Sequence, residues 1–109
     1  MTDRKLLELA AKAAGLKLSF YDGVHRNATG ADPAMNICAF PVWNPLNDDG
    51  DYSRLEAALA MDVVWFKDGV GVGDSYEAFA DHDEDRQVAR RLAGTREASS
   101  MVGRCRDNP

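Results

Sequence analysis

The run Val63-Val64-Trp65-Phe66-Lys67-Asp68-Gly69-Val70-Gly71-Val72 constrains this chain more than any other stretch. β-Branched and aromatic residues flank an Asp-Gly pair, which reads as a β-hairpin. A two-residue Asp68-Gly69 loop suits a type I′ turn, because both of its positions need positive φ. The register expected from that loop sets Trp65 opposite Val72 and Lys67 opposite Val70. Trp65 on a β-branched partner adds about 0.2–1 kcal/mol over alanine.

A sheet containing this hairpin needs further strands and a cover of helices. Leu16, Leu18 and Phe20 alternate with Lys17, Ser19 and Tyr21, as in a strand with one buried face, and Asp22-Gly23 turns the chain. Asn27 to Ala34 reads as a mobile loop, rich in Asn, Gly, Asp and Pro. Asn36 to Val42 is a second strand-like run, in which Pro41 belongs at an edge or an end.

Three helices are expected. Asp3 to Ala14 has Thr2 as cap, a stripe of Leu6, Leu9, Ala10 and Ala13, and Gly15 to end it. Asp51 to Met61 has a stripe of Tyr52, Leu55, Ala58 and Leu59, with Asp48 or Asp49 as cap. A third helix starts at Asp81 to Asp85 and runs past a weak point at Gly94, where glycine costs about 1 kcal/mol relative to alanine. The order is α-β-β-α-β-β-α in a single domain over residues 1–109: an α+β fold, with an antiparallel sheet of about four strands covered as an α/β/α sandwich.

Charge narrows the partners. Residues 1–85 hold 16 of the 18 acidic residues and 7 of the 13 Lys and Arg, whereas residues 86–109 are net basic. An acidic body disfavours phosphate backbones, so nucleic-acid binding is not expected. No apolar run is long enough to span a bilayer, and Glu8 and Lys12 break the N-terminal apolar stretch, so a cytoplasmic protein is expected, with Cys38 and Cys105 as thiols.

Several motifs invite chemistry. Gly69-Val70-Gly71-Val72-Gly73 imitates a phosphate loop, but Asp74 follows it and no dinucleotide spacing is present. The plainer reading is a strand with small residues where a neighbour packs closely. Asn47-Asp48-Asp49-Gly50-Asp51 with Glu56 imitates a calcium loop, but Pro45 stands at the first ligand position. Asp81-His82-Asp83-Glu84-Asp85 reads as an acidic helix start. His25 and Cys38 are not placed together by sequence, and nothing around Cys38 suggests an oxyanion site. No cofactor, metal or catalytic set is therefore expected.

The block Trp43-Asn44-Pro45-Leu46-Asn47-Asp48-Asp49-Gly50-Asp51, followed by Arg54-Leu55, resembles the phage ABA-sandwich domain proteins. A Leu- and Ala-rich opening helix and an Arg- and Ala-rich closing helix add to the likeness. The resemblance implies an α/β/α layered sheet and a phage or prophage context, and it implies no reaction. The expected role is a non-enzymatic protein-binding module, one version being an inhibitor of a host defence. Its candidate surface is Trp43 with Asp48, Asp49, Asp51, Asp81, Asp83, Glu84 and Asp85, the acids imitating DNA phosphates. The alternatives are a metal- or ligand-binding domain using the acidic helix starts, and a structural homo-oligomer.

Overall fold

A computed structural model gives the structure. It describes residues 2–30, 32, 34, 36 and 39–107, the last five by backbone alone. Ile37, Cys38 and the Cys105 side chain lie outside the described residues.

The first helix, α1 (Asp3–Ala13), forms where its caps require. The Thr2 hydroxyl accepts from the Lys5 amide, Gly15 has φ +76°, and Leu16 N–H returns to Ala11 O. Its buried face is Leu6, Leu7, Ala10 and Ala11, not the stripe through Leu9 and Ala13. Strands β1 (Leu18–Tyr21) and β2 (Val24–Asn27) follow as a hairpin. Its Asp22-Gly23 loop has φ +54° and +80°, the pair of signs that a type I′ turn needs. Phe20 is exposed rather than buried; its ring lies under the Arg4 guanidinium and beside His25. Residues 41–43 add a short third pairing: Asn27 N–H bonds Pro41 O, Trp43 N–H bonds His25 O, and Val42 bridges Arg26.

Helix α2 (Asp49–Ala58) starts two residues earlier than expected, with Asp48 as cap accepting from Asp51 N–H. A second sheet comes next, β3 (Val63–Trp65), β4 (Gly69–Val72) and β5 (Ser75–Ala78), in that spatial order and antiparallel throughout. A 3-10 turn at Phe79–His82 then leads to α3 (Arg86–Asp107), capped by Asp85, which accepts from Gln87 and Val88 N–H. The third helix therefore begins after the acidic run and continues unbroken through Gly94.

The chain is α+β, but among the described residues five strands form two small sheets of two and three strands, and not one of four. The strands β2 and β5 were not expected, and the expected 36–42 strand is reduced, among the described residues, to the pairing at 41–43.

The hairpin register also differs. Trp65 faces Val70 and Val63 faces Val72, while Phe66 N–H bonds Gly69 O, so the loop is Lys67-Asp68. Neither Asp68 nor Gly69 has positive φ. Gly69 is held in the strand by what lies over it. A Cβ there would run into the Tyr76 hydroxyl and ring and sit 2.7 Å from Glu77 O.

Helix α3 is the common wall of two cores. Ala89 and Ala93 meet Val70, Val72 and Phe79 beneath the three-stranded sheet. Further along, Ala98 joins Leu7, Ala10, Ala11, Trp43 and Leu55 from α1, the 41–43 segment and α2. Small residues at these positions let three elements approach one helix closely. Gly94, expected as a weak point, is where the Tyr52 ring of α2 lies on the helix backbone.

Candidate interaction surface

Alternation in β3–β5 sorts the side chains onto two faces. Val63, Trp65, Val70, Val72, Ser75 and Glu77 point toward α3; Val70 and Val72 are fully buried. The other face carries Val64, Phe66, Gly69, Gly71 and Tyr76, and nothing among the described residues covers it. Val64, Phe66 and Tyr76 are 52%, 53% and 52% exposed. The glycines make this face a floor for rings. Tyr76 lies across Gly69, Phe66 reaches to 3.3 Å from a Cβ position on Gly71, and the two rings meet edge-on with centroids 5.9 Å apart. The Gly-Val-Gly-Val pattern thus serves packing on both sides: valines against the helix, glycines under aromatics.

Beside this face lies the edge of β3, on which no further strand pairs among the described residues. Its Trp65 is 46% exposed, with one side against Phe79 at 6.1 Å between ring centroids. Monomeric proteins rarely leave such an apolar, aromatic area bare unless something docks on it.

Trp43 is only 4% exposed. It braces the chain ahead of α2, as its place before the buried Pro45 suggests. It forms part of the wall of two cavities of about 390 and 270 Å³. The first is lined by Leu16, Leu55 and Ala58 with Asp51 and Arg54; the second includes Phe20 and His25.

The acids divide by role. Asp51 is buried; it accepts from Asn44 N–H at 2.9 Å and from Arg54 at 2.7 Å. Asp49 pairs with Arg91, whose Nε also donates to Leu46 O. Asp48 and Asp85 are exposed helix caps, whereas Asp81, Asp83 and Glu84 are exposed around a reversal in which Asp83 and Glu84 have φ +53° and +62°. Two of the eight candidate residues, Trp43 and Asp51, are thus buried, and two of the acids, Asp49 and Asp51, are paired with an arginine. Among the described residues no three His, Cys, Asp or Glu side chains gather as a metal site would need. Glu56, the last residue of the calcium-like pattern, is held by Arg90. His25 sits against Glu8 at 3.2 Å, and His82 against Glu77 at 2.9 Å.

The Glu56–Arg90 pair joins α2 to α3 through two parallel hydrogen bonds of 3.1 and 2.7 Å. Burial alone would raise the Glu56 carboxyl. The Arg90 hydrogen bonds and charge, with the adjacent Tyr52 hydroxyl, outweigh it and hold the carboxyl below its usual range. A carboxyl with a lowered folded pKa stabilises the fold above its unfolded pKa, and that stability is lost as pH falls through the folded value. Unfolding free energy is therefore expected to decline below about pH 4.5. Glu56→Gln should cost about 1–2 kcal/mol at pH 7 and make that acid limb shallower, measured by urea titration at a series of pH values. An unchanged acid limb would remove Glu56 from this role.

The sequence placed Trp65 in the hairpin and Trp43 in the candidate surface, but Val64, Phe66 and Tyr76 were passed over as a binding face. The available signal was a strand apolar on both faces opposite a strand with glycine at every second position. In comparisons with known proteins, no family model, no curated protein and no solved structure matches this chain.

Proposed function

We propose that this chain is a non-enzymatic protein-binding module of a phage or prophage, acting in the host cytoplasm, and that it docks through the open face of its three-stranded sheet. The observation that carries the reading is the uncovered Val64–Phe66–Tyr76 face. Tyr and Phe are effective anchors, since their large rigid surfaces bury well at little entropic cost. A protein partner fits better than nucleic acid. Exposed rings on a sheet can stack bases, but strand binders surround such rings with positive charge. Here Lys67 stands among Asp62, Asp68 and Asp74 on a chain of net charge −5. The phage context is supported by the resemblance of the Trp43 to Leu55 block.

The test is affinity capture from host cells with and without phage infection, comparing the wild type with Phe66→Ala/Tyr76→Ala. A specific protein recovered by the wild type should be retained at least ten-fold less well by the variant, about 1.4 kcal/mol or more. The variant's melting temperature should stay within a few degrees, because both side chains are half exposed. Equal capture by the two proteins, or no specific partner at all, defeats the reading.

A further inference from the structure

The β3 edge supports a separate inference about self-association. The ladder between β3 and β4 extends past the strand at both ends: Phe66 N–H bonds Gly69 O at 2.8 Å and Gly73 N–H bonds Asp62 O at 3.0 Å. In an antiparallel ladder, bonded and non-bonded pairs alternate. Asp62, Val64 and Phe66 therefore turn their backbone groups toward β4, while Val63 and Trp65 turn theirs outward. Among the described residues no other strand pairs with β3. This edge carries no proline and no inward charge, two devices that keep sheet edges from pairing.

The geometry points to a second copy of this chain as the occupant of that edge, its β3 antiparallel to the first across a two-fold axis at Val64. The register follows from the outward groups. With Val64 opposite Val64 of the other copy, each Val63 faces the other copy's Trp65, and each such pair exchanges two ladder bonds. No other centre on β3 matches both outward residues to each other. The same register brings the other copy's Val63 beside the half-exposed Trp65. It also sets the Asp62 end of each strand next to the Lys67 end of the other, whereas a parallel pairing would place like ends together. Asp68 offsets part of that attraction, so the ladder and Trp65 supply most of the complementarity. The product is a six-stranded sheet whose two aromatic faces form one platform. The inference rests on the edge and not on the proposed protein partner.

The experiment is light scattering across a concentration series, with two variants. The wild type should show twice the chain mass at high concentration. Val64→Lys puts two ammonium groups opposite each other at the axis on an exposed face, so it should run as a monomer. Val64→Cys should form a disulfide joining position 64 of two copies on mild oxidation, since non-bonded antiparallel pairs have Cα atoms about 4.5 Å apart. Tyr76→Cys, away from the axis, should not cross-link. A wild type that stays monomeric throughout overturns the inference. So does a dimer that survives Val64→Lys or yields no cross-link at position 64. A monomer that still captures a partner through Phe66 and Tyr76 would sink the dimer and leave the proposed function standing.

Discussion

Gly94→Ala should destabilise the protein by about 1–3 kcal/mol, although alanine is the better helix former by about 1 kcal/mol. Tyr52 is nearly fully buried, and a Cβ on Gly94 would lie 2.5 Å from its Cζ and closer still to its hydroxyl and Cε1. The ring cannot step aside. The Arg90 guanidinium lies 5.5 Å from its centroid, and Arg90 is itself tied to Glu56. The methyl group must therefore push α2 away from α3. The Tyr52 hydroxyl is buried without a hydrogen bond of normal geometry, and burial, then the Glu56 carboxylate, keeps it protonated far above the usual phenol range. Tyr52→Phe should accordingly change stability by less than about 1 kcal/mol, since the ring is kept and the hydroxyl, which makes no hydrogen bond of normal geometry, gives the Glu56 carboxylate only weak support. Urea midpoints at unchanged slope measure both. A stabilised Gly94→Ala would mean that propensity outweighs packing here and that the helices are not in close contact.

Gly94 also shows what could and could not be read from sequence. The caps Thr2 and Asp48 and the stop at Gly15 were legible, because each acts on backbone groups within a few residues. The Asp-Gly turn signal was equally local, yet it holds at Asp22-Gly23 and fails at Asp68-Gly69. The difference is Tyr76, seven residues on, whose ring needs the space where the Gly69 Cβ would be. A local turn preference yields to a steric requirement of that kind.

The missed strands have a related cause. β2 reads Val-His-Arg-Asn and β5 reads Ser-Tyr-Glu-Ala, with no apolar alternation. Their buried residues are His25 and Glu77, which a binary pattern counts as surface. Both are buried with polar partners supplied from elsewhere. Glu8 on α1 meets His25; His82, and Arg96 on α3, meet Glu77. Pairing of this kind makes burial of a charge or imidazole tolerable, and it is visible only once distant segments are placed. The candidate surface was half legible for the same reason. The acids stood out by composition, but the pairing of Asp49 with Arg91 depends on the approach of α2 to α3.

Phe79→Ala should be the most damaging single truncation, at about 3–5 kcal/mol. That is a large share of the about 5–15 kcal/mol by which a domain of this size is stable. The Phe79 ring fills the space between Val70 and Val72 on the sheet and Ala89 and Ala93 on α3. The small residues on the helix side cannot close the void. The loss extends to the edge strand, because the ring also backs Trp65 and lies 5.1 Å from the Arg86 guanidinium. The backbone bond from Phe79 N–H to Asp68 O survives the substitution, so the cost reports the side chain alone. Phe79→Leu should recover more than half of it by keeping volume. Trp65 emission should shift to the red in Phe79→Ala, under conditions where the protein is still folded, as its shielded side becomes wet. The contrast with Phe66→Ala/Tyr76→Ala separates the two faces of one sheet. On the helix side, removing a ring costs a large share of the stability. On the open side, removing two rings costs little of it, and what is lost is binding. A Phe79→Ala protein less than about 1 kcal/mol weaker than wild type would break that contrast, because the sheet would then not be held on α3 by this ring.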